Sequence, residues 1–175
     1  MRFVFAALAL SLCATPVLAA APTAPVDLVA RFVLGADDNA TLSLDGGKSV
    51  GTLIKTSPGN FDATPAGGGS FAFKVTEKTK CVFDIVFNQG GVIAGGIEVD
   101  ATRLQAVAYD TLRENDNWTD YKITLNGLPG VVQELGPSGR LAPIPPQSQL
   151  STSLTTETMQ AALTELQKTA CPAAA

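Results

Sequence analysis

From Phe71 to Val99 apolar and polar side chains alternate with period two, and no other feature constrains the fold of this chain as tightly. Phe71, Phe73 and Val75 alternate with Ala72, Lys74 and Thr76. Phe83, Ile85 and Phe87 alternate with Val82, Asp84 and Val86, and Ile93, Gly95, Ile97 and Val99 follow. Successive side chains of a strand point to opposite faces, so the pattern predicts antiparallel strands with one buried face. Polar turns at Glu77 to Lys80 and around Asn88-Gln89-Gly90-Gly91 make this a meander. A register follows: if Phe83, Ile85 and Phe87 share a face with Ile93, Ile97 and Val99, then Phe87 lies opposite Ile93, across a loop from Asn88 to Val92.

The flanking segments are less decided. Val26 to Leu34 fits a helix through Leu28/Phe32 and Val29/Val33, and fits a buried strand by its length and valines. Leu42 and Leu44, the run Asp45-Gly46-Gly47-Lys48 and Val50 to Thr56 read as a hairpin, with one helical turn after Ser49 as the rival. Ser57 to Ser70, with two prolines and four glycines, should be an irregular surface loop. Leu104 to Leu112 reads as a strand, or as a helix capped by Asp100. Tyr121, Ile123 and Leu125 predict a further strand before Asn126-Gly127. Gly127 to Gln149 holds five prolines and four glycines and is expected to wrap as a long loop. The final element is a helix: Thr155 or Thr156 can cap it, while Glu157 and Lys168 suit its positive and negative ends. Met159, Ala162, Leu163, Leu166 and Ala170 form its apolar stripe, and Pro172 ends it. The expected fold is α+β, an antiparallel β-meander sheet with a C-terminal amphipathic helix packed on one face.

The chain starts with Arg2, an apolar run from Phe3 to Leu12, then Pro16 and the small residues Ala19, Ala20 and Ala21. That order predicts a signal peptide over residues 1–20, cut after Ala19 or Ala21, and hence a periplasmic or secreted protein. A membrane anchor would need about 20 uninterrupted apolar residues, and Thr15 and Pro16 interrupt this run. Cys13 follows Leu12, where a lipid-attachment signal wants a small residue. An extended lead-in over 21–25 and one globular domain over 26–175 complete the expected organisation. In an oxidising compartment Cys81 and Cys171 should pair, stapling the last helix to the central strands.

The formal net charge is −4, and one unit more negative without Arg2. With no basic stripe, neither nucleic acid nor an anionic lipid surface is an expected partner, and no second apolar segment predicts membrane insertion after signal removal. Histidine is absent, which excludes Ser-His-Asp and Cys-His catalysis, and paired cysteines leave no zinc site. No cofactor is expected. Gly46-Gly47-Lys48-Ser49 mimics the end of a phosphate loop, but Leu42 stands where that motif needs Gly. Glu114, Asp116 and Asp120 have the close spacing of calcium ligands, yet Trp118 interrupts them, so a solvated hairpin loop is expected there. Asp84 and Glu98 should face outward on neighbouring strands. The glycosylation triplets Asn39-Ala40-Thr41 and Asn117-Trp118-Thr119 are discounted.

Trp118, Tyr109 and Tyr121 lie close in sequence and form a candidate binding edge. The expected function is a non-catalytic exported binding or interaction module, using that edge or the Gly127–Gln149 segment, with another exported protein as one candidate partner. Two alternatives stand. One is a carboxylate-based hydrolase or carbohydrate-active enzyme drawing on Asp84, Glu98, Asp110, Glu114, Asp116 and Asp120. The other is a carrier of a small apolar ligand, with a cavity between sheet and helix.

Overall fold

The computed structural model describes residues 23–44, 49–65, 69–136 and 138–173. The signal segment with Cys13, residues 21 and 22 of the lead-in and the Asp45–Lys48 turn lie outside the described residues. Among the described residues two helices, α1 (Pro25–Leu34) and α2 (Thr156–Thr169), accompany eleven strands. The strands are β1 (Thr41–Leu44), β2 (Ser49–Ser57), β3 (Asn60–Ala63), β4 (Phe71–Thr79), β5 (Val82–Gln89) and β6 (Val92–Asp100), then β7 (Leu104–Glu114), β8 (Thr119–Gly127), β9 (Val132–Leu135), β10 (Leu141–Pro143) and β11 (Gln147–Thr152).

All pairings are antiparallel, in the order β10-β9-β6-β5-β4-β3-β2-β1-β11-β8-β7. The expected α+β class therefore holds, and β1 to β6 form a meander. The complete sheet is not a plain meander, because β11 returns to lie between β1 and β8. It curls into a half-barrel around α1. No described helix is long and apolar enough to cross a membrane.

The undecided segment at Val26–Leu34 is helical, with Pro25 in its first turn and Gly35 left-handed at its end. Leu28, Val29, Ala30, Phe32 and Val33 are all buried. So much apolar surface suits a helix enclosed by the curl rather than one lying on its rim. Polar groups fix its ends. Asp27 accepts the Gly59 N–H at 2.8 Å and the Lys55 Nζ at 2.7 Å, tying the first turn to the β2–β3 hairpin. The Tyr109 hydroxyl donates to the Phe32 carbonyl at 2.8 Å, and Thr152 Oγ1 donates to the Gly35 carbonyl at 2.6 Å. These hydroxyls satisfy carbonyls that a helix end leaves without internal partners. Gly35 is also sterically required: a Cβ there would lie 2.5 Å from Thr152 Cγ2.

The C-terminal helix forms as expected, with Thr155 Oγ1 accepting the Thr158 N–H. Met159, Ala162, Leu163 and Leu166 are buried. Its partner is a correction: α2 packs chiefly on α1 and only lightly on β7, so the sheet is reached through the first helix. Cys81 and Cys171 are joined, with Cα atoms 5.5 Å apart. This fixes the end of α2 to the β4–β5 turn.

Other expectations change. Leu104–Leu112 and Val50–Thr56 are strands. The presumed loop Ser57–Ser70 contains β3, whose Phe61 stacks on Phe73 with ring centroids 4.9 Å apart. The presumed loop Gly127–Gln149 contains β9, β10 and the start of β11. The register at β5–β6 is also corrected. Phe83 pairs with Val99 and Ile85 with Ile97, but Phe87 pairs with Gly95 and Asn88 with Ile93. The turn is the two-residue Gly90–Gly91, both at positive φ, and a bulge after Phe87 shifts the pairing. Ile93 consequently points outward and is 64% exposed.

Candidate functional site

The main concavity is a cleft of about 560 Å³ between the end of α1 and both arms of the curl. One arm contributes Phe71 and Phe73 of β4, Phe87 of β5 and Ile97 of β6. Cross-strand pairing makes this wall: Phe73 lies opposite Phe87, and Ile97 lies opposite Ile85 on the same face. Gly95, opposite Phe87, leaves space that a side chain would occupy, since a Cβ there would meet nothing within 4 Å. Val33 and Leu34 of α1 form the floor, and Leu42 closes one side. The other arm brings Leu112 of β7, Asp120 of β8 and Ser148 to Ser151 of β11.

Polar groups gather on this second arm. Ser43, Ser151 and Asp120 form one row across β1, β11 and β8, because Ser43 pairs with Ser151 and Ser151 with Asp120. Ser43 and Ser151 are buried. Ser151 Oγ donates to Asp120 Oδ1, while Asp120 Oδ2 accepts Arg113 Nε at 2.9 Å. β1 pairs with β11 only at Thr152 and Ser151, so among the described residues the edge of β11 from Gln147 to Leu150 has no partner strand on that side. Ser148 and Gln149 there are exposed. A mostly apolar concavity with a few convergent polar groups is the usual form of a small-molecule site.

The aromatic residues singled out from sequence are divided by the fold. Trp118 and Tyr121 line a second, polar recess of about 440 Å³ beside the start of α2, together with Glu114, Asp116, Thr155 and Glu157. Arg113 lies over the Trp118 ring at 5.0 Å from its centroid. Tyr109 is not part of that recess. It packs edge-on against Tyr121, its hydroxyl is committed to α1, and burial pushes its phenol far above the ordinary range.

Asp84 and Glu98 are directly opposed on β5 and β6, with Lys78 Nζ 2.6 Å from Glu98 Oε2. Glu98 is buried, and Asp84 Oδ1 is buried without a hydrogen-bond partner. Burial raises the Asp84 carboxyl above its usual value, nearby Lys78 opposes the shift, and Glu98 adds to it. Neither recess includes this pair. Glu114 and Asp116 line the polar recess and Asp120 the apolar cleft, whereas Asp110 belongs to neither. Among the described residues no group of three or more potential ligands could hold a metal ion.

From sequence, a cavity between sheet and helix was expected only as an alternative, and the residues that line it were not identified. The alternation at Phe71–Val99 identifies an apolar face but not that part of it stays uncovered. One signal was present: no charged residue occurs from Ile85 to Ile97, or from Ala63 to Phe73. Comparison of the chain with protein-family models, curated proteins and solved structures finds no match.

Proposed function

We propose that this chain is an exported, non-catalytic binding protein that carries a small apolar ligand in the cleft between α1 and the curled sheet. The observation that carries the reading is the cleft's composition and size. Its volume, about 560 Å³, falls within the range of ordinary ligand pockets. Phe71, Phe87, Ile97 and Leu150 are each only half-buried although they sit beside the core. Enclosing such surface is the main favourable term in apolar binding, worth roughly 25 cal/mol per Å² removed from water.

Export is supported by the leader composition and by the disulfide, which persists in oxidising compartments. The carrier reading fits the geometry better than an enzyme reading does. Asp84, the carboxylate whose proton affinity is raised, lies outside both recesses, while the apolar cleft's own carboxylate is held by Arg113 and Ser151. The test is titration of the oxidised protein with the uncharged dye N-phenyl-1-naphthylamine, followed by its fluorescence. One saturable site per chain is expected. A signal that never saturates, or none, removes the proposal.

A further inference from the structure

The polar arm of the cleft also restricts which apolar molecules fit, given that the cleft is the binding site proposed above. Among the described residues its polar lining consists of Ser43, Ser148, Gln149, Ser151 and Asp120, with no basic side chain among them. Asp120 is the one ionisable group among the described lining residues, and it already receives both the Arg113 guanidinium and the Ser151 hydroxyl. A carboxylate or phosphate head would meet that carboxylate and no cation among the described lining residues; Lys122 pairs with Gln149 across β8 and β11 but does not line the cleft. An ammonium head would meet a carboxylate already neutralised, with Arg113 behind it. Desolvating either charge without a new partner is unfavourable.

A hydroxyl or amide head meets neither penalty. Ser148 and Gln149 offer donors and acceptors at the mouth, and the β11 edge beside them lacks a partner strand among the described residues. We infer that the ligand is an uncharged amphiphile. Its aliphatic part lies against Phe71, Phe87 and Ile97, and its hydroxyl or amide end is held by Ser148, Gln149 and the adjoining edge of β11.

The test uses the oxidised full chain and three probes of equal chain length, 1-decanol, decanoate and decylamine, each displacing N-phenyl-1-naphthylamine at neutral pH below its aggregation limit. Decanol is expected to bind at least about tenfold more tightly than either ion. Ser148 and Gln149 are exposed, so changing them spares the core. Gln149→Leu should weaken decanol about fivefold relative to the dye, which has no hydroxyl or amide head, the usual worth of one hydrogen bond. Gln149→Lys should bring decanoate up to match or exceed decanol. If decanoate or decylamine binds the unaltered protein as tightly as decanol, the uncharged class is wrong while the cleft reading stands. If the dye binds and Gln149→Leu leaves decanol unchanged, the assigned head position is wrong. If neither the dye nor any probe binds, the cleft reading falls and this inference falls with it.

Discussion

Replacing Cys81 by Gly together with Cys171 by Ala removes a crosslink between positions 90 residues apart. Loop-closure entropy for a ring of that size predicts a loss of about 4.5 kcal/mol. The backbone at Cys81 returns part of this. Its φ is 64°, a left-handed conformation that disfavours any side chain, and glycine there relieves about 1 kcal/mol. The expected net loss is about 3.5 kcal/mol, which for a domain of this length corresponds to a Tm lower by about 7–14 °C. Thermal unfolding followed by far-ultraviolet circular dichroism measures it. The Cys81→Ala, Cys171→Ala pair loses the same crosslink but keeps the strained backbone, so it should melt below the glycine version. A Tm within about 2 °C of the oxidised protein would refute the reasoning, because a loss that small corresponds to under roughly 1 kcal/mol. The unbridged chain would then hold α2 against α1 without help.

Two further perturbations address buried charge. Asp27→Ala leaves the Gly59 N–H without its acceptor and Lys55 without its ion pair, and should cost about 2–4 kcal/mol in urea unfolding. Asp27→Asn keeps an acceptor for Gly59 and should lose less. If both variants unfold with unchanged midpoints, the tie between α1 and the β2–β3 hairpin contributes nothing. The Asp84 carboxyl is raised in the native state, so folding strengthens its hold on a proton. The stability this confers is complete below the unfolded carboxylate value of about 4 and is lost as pH rises through the native value. Asp84→Asn should therefore melt higher than the unaltered chain at pH 7, with the gap closing near pH 4. A variant that melts lower at pH 7 contradicts the assigned direction.

The strands that carry the cleft's aromatic wall were legible because alternation is a local signal, and a face buried by a sheet leaves period two in the sequence. Elements whose burial depends on distant partners were harder. Val26–Leu34 is apolar on nearly every side because α2 covers it as well as the sheet, which blurs the helical stripe; Pro25 and Gly35 at its ends were the better evidence. The prolines between Gly127 and Gln149 argued for a loop, yet Pro143 sits in β10, the last strand at one edge of the sheet, where a missing N–H breaks no ladder. The Ile93 register failed for another reason. A tight Gly90–Gly91 turn and a bulge displace the pairing by one residue, and alternation carries no mark of a bulge. The cleft itself records where side chains are absent, so only its weak correlate, two charge-free stretches, could be read beforehand. The aromatic edge was divided because Tyr109 is committed to the end of α1.

The most direct test of the carrier account is a matched pair of tryptophan substitutions on one strand. Ile97 faces the cleft, while Ile93 stands exposed outside it. Both Ile97→Trp and Ile93→Trp are first checked for an unchanged melting profile, then titrated with N-phenyl-1-naphthylamine. The account predicts that the indole at position 97 fills the cleft and abolishes saturable binding, while the one at 93 leaves the affinity as it was. Equal binding by both variants would place the ligand elsewhere and contradict the account.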